Sequence, residues 1–304
     1  MSRIDGATLV TFWVLKSVKE KYSMVKTFLK LLLCIIVYTV VFTIVNLIMP
    51  FSQGFRELGS SENPAVLLFF TFINVAWICF TIFFIIKHSH FSGIKLYLNI
   101  VYVIFFIQTF LTQMETFLFS FAFPALTKID IVLLVLTDLV TLLAVVPLMV
   151  KLFQNKDITA DVEKINIKTI AIKLGIISVI YLCIYQIFGF FVAWQFEEVQ
   201  TFYSELQDNS VTSVIFPYQI LRGLLFGFFI IPLKKMISKK IPFVVSVCLV
   251  YLCTAVMLIV PNPLFPDEVR IAHLIEMSTS MLLFGIIAAN ILWGRERREL
   301  ITKS

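Results

Sequence analysis

The chain has 304 residues, 60% of them hydrophobic and 14% charged, with a mean hydropathy of +0.96. That composition excludes a soluble globular domain and identifies a polytopic membrane protein. A formal net charge of +6 raises nucleic acid as a partner, but the placement of the basic residues assigns the surplus to membrane topology, so membrane lipids are expected instead.

A hydrocarbon core of about 30 Å takes roughly 20 helical residues to cross. Eight continuously apolar runs meet that length: 28–49, 66–87, 96–123, 131–153, 169–195, 212–233, 242–260 and 271–293. None alternates in polarity as a membrane β-strand would, so the fold class is all-α, an eight-transmembrane-helix bundle. Of the 25 Lys and Arg, 21 fall on the side of the N-terminus, three on the other side (Arg56, Lys128, Arg270) and one, Arg222, inside a run. By the positive-inside rule both termini are expected to be cytoplasmic, and the membrane to be the cell membrane.

Residues 1–27 carry Leu9, Phe12 and Trp13 with Lys16 and Lys19, and read as an amphipathic segment on the inner interface or as a plain tail. No cleaved signal peptide is expected, because the apolar stretch is short and lysines follow it. Residues 28–153 form a first four-helix half. Its loop 51–64 holds Gly, Ser and Pro and is expected to be irregular, and His88 and His90 read as a solvated pair without a third metal ligand. The third run carries Gln108, Gln113 and Glu115, and the fourth carries Asp138 and Thr141.

Residues 154–168 turn polar and read as a cytoplasmic linker. Beyond it, 169–293 forms a second four-helix half, and 294–304 a basic tail. The halves align: Lys30-Leu-Leu-Leu-Cys-Ile-Ile-Val-Tyr38 with Lys173-Leu-Gly-Ile-Ile-Ser-Val-Ile-Tyr181, Glu62-Asn63 with Asp208-Asn209, and Leu136-x-Asp138-x-x-Thr141 with Leu274-x-Glu276-x-x-Thr279, at offsets of 143, 146 and 138 residues. Either a parallel 4+4 tandem repeat or chance alignment of Phe/Ile/Leu-rich helices produces such matches. The loop 197–208 holds four acidic residues and no basic one, an acidic rim or an ordinary solvated loop. The five cysteines all fall inside apolar runs without a C-x-x-C pair, so neither a disulfide frame nor a metal cluster is expected.

The titratable residues inside the runs share one depth. Counting about 1.5 Å per residue from the outer ends places Glu115, Asp138, Gln186, Arg222 and Glu276 roughly 8–15 Å deep, in the outer half of the membrane. His273 and Glu276 lie three apart on one helical face, and Gln195 ends the fifth run. Intramembrane charge is costly and points inward, so Glu115, Asp138, Gln186, Gln195, Arg222, His273 and Glu276 are the candidate substrate or ion pathway. Arg222 is expected to pair with Glu276, and failing that with Asp138. No catalytic motif is present, no cofactor or metal is implied, and His273 with Glu276 is the one pair suited to acid–base work.

Three segments, Phe188-Gly-Phe-Phe-Val-Ala-Trp-Gln195, Leu221-Arg-Gly223 and Pro261-Asn-Pro263 through Ala272-His-Leu-Ile-Glu-Met-Ser-Thr-Ser280, resemble those of uncharacterised multi-pass bacterial membrane proteins. The resemblance implies a bacterial cytoplasmic membrane and brings no activity with it. The expectation from the residues is a small transporter or permease for a solute or proton; the alternatives are an outer-leaflet lipid-modifying enzyme using His273 and Glu276, and a non-catalytic membrane scaffold or sensor.

Overall fold

The computed structural model describes residues 6–60, 62–123, 125–154, 166–205, 209–262 and 264–294, with the backbone alone for 6–22, 60, 205 and 209–213. Of the expected amphipathic segment 1–27, residues 1–5 and the side chains of 6–22 therefore lie outside the described residues, as do most of the linker 154–168, the tail beyond Gly294, and Asp208. Eight helices are long and apolar enough to cross a membrane: Ser23–Ile48, Pro64–His88, Gly93–Leu118, Lys128–Phe153, Ile167–Gln195, Val214–Met236, Lys240–Ile259 and Asp267–Trp293. No named strand occurs among the described residues. The protein is an all-α integral membrane protein.

Helix α1 (Gly6–Ile48) continues without a break from the N-terminal segment through the first span. After it the loop 51–64, expected to be irregular, folds into α2 (Gln53–Ser60). Asn63 then caps α3 (Pro64–His88), accepting from Ala65 N at 3.0 Å, and Pro64 sits at the first turn where its missing N–H costs nothing. The third span has three parts: α4 (Gly93–Ile104), a π-helical stretch Phe105–Phe110, and α5 (Leu111–Leu118). It therefore ends five residues earlier than the apolar run suggests, and 119–123 with 125–127 lie in the turn into α6 (Lys128–Phe153).

That turn is pinned. Fully buried Asp130 accepts from Thr127 N and Oγ1 at 2.9 and 2.6 Å, closing a capping box, and from Ser52 N and Oγ at 2.8 and 2.7 Å. A carboxylate with four donors fixes the start of the fourth span against the end of the first.

The second half contains α7 (Ile167–Phe191), capped by Asn166, α8 (Glu197–Glu205), α9 (Asn209–Phe229), the short α10 (Ile231–Met236), α11 (Lys240–Val256) and α12 (Asp267–Trp293). Pro232 separates α9 from α10, because it cannot donate to the preceding turn. Helices α7 and α9 meet at small residues. A Cβ on Gly223 would stand 2.7 Å from Tyr181 Cβ and 3.0 Å from Ser178 Cα, and one on Gly227 would stand 2.8 Å from Leu174 Cδ2. This G-x-x-x-G face lets the backbones approach, and Ser178 Oγ donates to Ile220 O across the contact.

The neighbour pattern is the same in both halves. In the first, α1 packs on α3 and α6, and α4 on α6; in the second, α7 packs on α9 and α12, and α11 on α12. Between the halves, α3 lies against α11, and the α9–α10 span lies against the third span. Exchanging the halves maps each of these contacts onto another one. Two lysines follow the same rule: Lys30 Nζ donates to Leu152 O at 3.3 Å at the end of α6, and Lys173 Nζ donates to Leu292 O at 3.4 Å at the end of α12. The turns after the second and sixth spans meet in an antiparallel bridge, Ser89 with Ile237. A tandem repeat with its axis along the bundle would produce this arrangement.

Several hydroxyl side chains on the spans are satisfied by their own helices. Thr39, Thr43, Thr112 and Thr141 donate to the carbonyl four residues back at 2.6–2.9 Å, as hydrocarbon surroundings require. Of the five free cysteines, Cys183 faces outward and the other four are buried. The histidine pair separates: His88 Nδ1 lies 2.8 Å from Phe84 O, while His90 Nδ1 lies 3.1 Å from Ser238 Oγ. Between α7, α9, α11 and α12 the core is aromatic, with Tyr251 stacked on Phe284 at 5.1 Å and Tyr251 Oη donating to Phe226 O at 3.0 Å.

Candidate functional site

Above that aromatic floor the bundle opens. A cavity of about 830 Å³, within the roughly 300–1,000 Å³ typical of small-molecule sites, runs from Tyr181 and Phe284 up to the turns that carry α2, α8 and the α11–α12 connection. Its walls come from the ends of the third, fifth, sixth and eighth spans, and most of them are apolar, with Phe119, Phe190, Phe202, Phe216 and Phe265 among them.

Two polar groups stand in this apolar space. The first is an ion pair. Arg222 Nη1 donates to Glu115 Oε1 at 2.7 Å, and Nη2 lies 2.7 Å from Oε2, so α9 and α5 are joined end-on through both carboxylate oxygens. The guanidinium is 2% exposed and also lies over the Phe226 ring at 5.6 Å. The sequence reading gave this arginine to Glu276 or Asp138; the structure gives it to Glu115. The reason is rotation about the helix axes, since Glu276 and Asp138 both face partners of their own.

The second group is a relay on α12 and α8. His273 Nδ1 lies 3.4 Å from Glu276 Oε2, and His273 Nε2 lies 3.1 Å from Tyr203 Oη. With the ring neutral, Nδ1–H donates to the carboxylate and Nε2 accepts from the phenol. Burial, aided by Tyr185, Glu115 and Glu276, pushes the Tyr203 phenol well above its ordinary pKa, so it stays a donor.

Of the seven residues expected to form the substrate or ion pathway, Glu115, Gln186, Arg222, His273 and Glu276 line the cavity. The other two do not. Asp138 accepts from Thr109 Oγ1 at 2.9 Å, between α6 and the π-helical stretch, and Gln195 donates to Phe190 O at 2.8 Å in the turn after α7. Sequence reasoning missed Tyr203 and the helix that carries it, because 197–208 reads as an acidic solvated loop. In fact Val199 is buried and Phe202 and Tyr203 face the cavity. Aromatic residues at 202 and 203, three and four positions after Val199, are the helical signal that was available. No group of three or more His, Cys, Asp or Glu fit to hold a metal occurs among the described residues.

Comparison with known proteins brings no name to this site: no family model matches the chain, and neither a curated protein nor a solved structure matches it.

Proposed function

We propose that the chain is a small transporter of the bacterial cytoplasmic membrane, with both termini cytoplasmic and the cavity open to the outer face. The observation that carries this reading is the cavity itself. A dry, fully packed cluster of charges would serve assembly alone, whereas about 830 Å³ of open space is far more than a helix-joining ion pair needs. Glu276 and His273 supply a titratable pair at its wall, placed to take or release a proton as a solute binds. The distribution of 21 basic residues toward the terminal side supports the orientation.

The hydrogen-bonded series Tyr203–His273–Glu276 favours a second reading, an enzyme that works on a lipid headgroup, since a base oriented by a carboxylate and facing a cavity is what acid–base catalysis needs. One variant separates the readings. In sealed liposomes under an imposed pH gradient, wild-type protein is expected to take up labelled small solutes in a pH-dependent way. Glu276→Gln should melt like the wild type and lose that response. Hydrolysis or modification of bound lipid, abolished by the same change without solute movement, would favour the enzyme. A Glu276→Gln protein that is much less stable and has no other phenotype would remove both readings.

A further inference from the structure

We propose that the cavity takes an anionic amphiphile, a molecule with a carboxylate or phosphate-monoester head and an aliphatic tail, and that Arg222 holds the head. The inference rests on the reading of the cavity as a substrate site. A guanidinium offers two forks, one at its Nη1–Nη2 end and one along its Nε–Nη2 side, and either matches a carboxylate or phosphate. Glu115 occupies the end fork, hydrogen-bonded to Nη1 and within ion-pair range of Nη2. The side fork lacks an acceptor: Arg222 Nε is buried without a hydrogen-bond acceptor among the described residues, and Nη2 makes no well-aligned hydrogen bond. A buried, charged donor left without an acceptor is costly, so a site that retains one is built for an acceptor that arrives with the ligand.

The sign of the ligand follows from what is already matched. Deep in the cavity the acids are engaged, Glu115 by Arg222 and Glu276 by His273, while Glu62 lines it from the half-exposed start of the second span. The deeply buried charged group with capacity to spare is the arginine, and it selects an anion. Gln113 Oε1, also on the wall and buried without a donor, suits a head that carries a hydroxyl or a remaining acidic proton.

The tail follows from the walls. Phenylalanines line much of the cavity, and two of them, Phe190 on α7 and Phe216 on α9, are also 60% and 50% exposed on the outer surface of the bundle, where acyl chains would lie. A small hydrated anion gains nothing from such walls, while an alkyl chain is transferred from one apolar medium to another and keeps its head on the guanidinium.

Trp194 reports on binding, because it lines the cavity with its ring 6.3 Å from that of Tyr203. In phosphatidylcholine nanodiscs, a terminally brominated dodecanoate and the matching dodecyl phosphate are expected to quench tryptophan fluorescence saturably, and Trp194→Phe should remove the saturable part. Inorganic phosphate and acetate should not displace the probes. Arg222→Gln combined with Glu115→Gln, a neutral pair that leaves no lone buried charge, should weaken binding about tenfold or more, the effect of one charge-assisted contact. Glu115→Gln alone should tighten it, since the competing carboxylate is gone while the arginine stays charged. A structural ion pair predicts no such gain. If a brominated alkylammonium binds as well as the anions, or if the neutral pair binds them unchanged, the anionic assignment is overturned while the cavity remains a substrate site. If no probe of any charge quenches saturably, the amphiphile and the substrate reading fall together.

Discussion

The contact between α7 and α9 sets where Arg222 stands, and substituting its two glycines one at a time tests that contact. In Gly223→Ala the new methyl carbon would stand 2.7 Å from Tyr181 Cβ and 3.0 Å from Ser178 Cα and O. Carbon atoms in contact normally rest about 3.5–4.0 Å apart, and all three obstacles belong to the backbone or its first side-chain atom, so the helices themselves must part by most of an ångström. Overpacking of this kind costs about 1–3 kcal/mol, set against the roughly 1 kcal/mol by which alanine outdoes glycine within a helix. With three obstacles that cannot rotate away the cost lies at the upper end, about 2–3 kcal/mol, so a net loss of about 1–2 kcal/mol is expected, together with a loosened Arg222–Glu115 pair on the preceding residue. In Gly227→Ala the nearest atom, Leu174 Cδ2 at 2.8 Å, is the tip of a side chain that can rotate away, so loss and gain nearly cancel, to within about 0.5 kcal/mol. Equilibrium unfolding in mixed micelles measures both variants. Gly227→Ala falling below Gly223→Ala, or Gly223→Ala matching the wild type, would refute the claim that backbone contact at Gly223 holds the helices together.

Asp130→Ala strands four donors at the start of α6 and is expected to cost about 3 kcal/mol in the same unfolding measurement, as for the loss of one or two charge-assisted bonds. Tyr203→Phe removes the bond to His273 Nε2 and should cost about 1 kcal/mol at neutral pH. Its effect on alkaline stability has a definite sign: a phenol raised by burial contributes stability that is complete below the ordinary pKa near 10 and is lost above it, so melting temperature should fall less steeply at alkaline pH in the variant than in the wild type. For topology, Ser204→Cys in a cysteine-free background should react with an impermeant maleimide on intact cells and Ser238→Cys should not; the reverse pattern would invert the orientation.

The spans were legible because crossing hydrocarbon demands some twenty apolar residues in a row, a signal that no local packing overrides. The short surface helices were not. Helix α2 is eight residues and α8 nine, too few turns for a periodic pattern to stand out from a polar loop. The depth of Glu115, Arg222 and Glu276 could be counted along the chain, and all three line one cavity. Their pairing could not, because depth fixes position along an axis while partners depend on rotation about it. Asp130 is a different case: Thr127-Lys-Ile-Asp130 has the spacing of a capping box, a signal present in the sequence, whereas its bonds to Ser52, 78 residues away, are not.

The π-helical stretch Phe105–Phe110 works as a phase adjuster in the middle of the third span. A wider turn holds one residue more than the α-helix would, so everything beyond it is rotated relative to the part before. Winding the same residues as α-helix would swing Leu111–Leu118 by about 100°. Glu115 would then leave Arg222 and turn toward a neighbouring helix. The charge on α9 is thus matched through the wide turn that precedes its partner on α5, and a chain that lost both the turn and its extra residue would keep Glu115 facing Arg222.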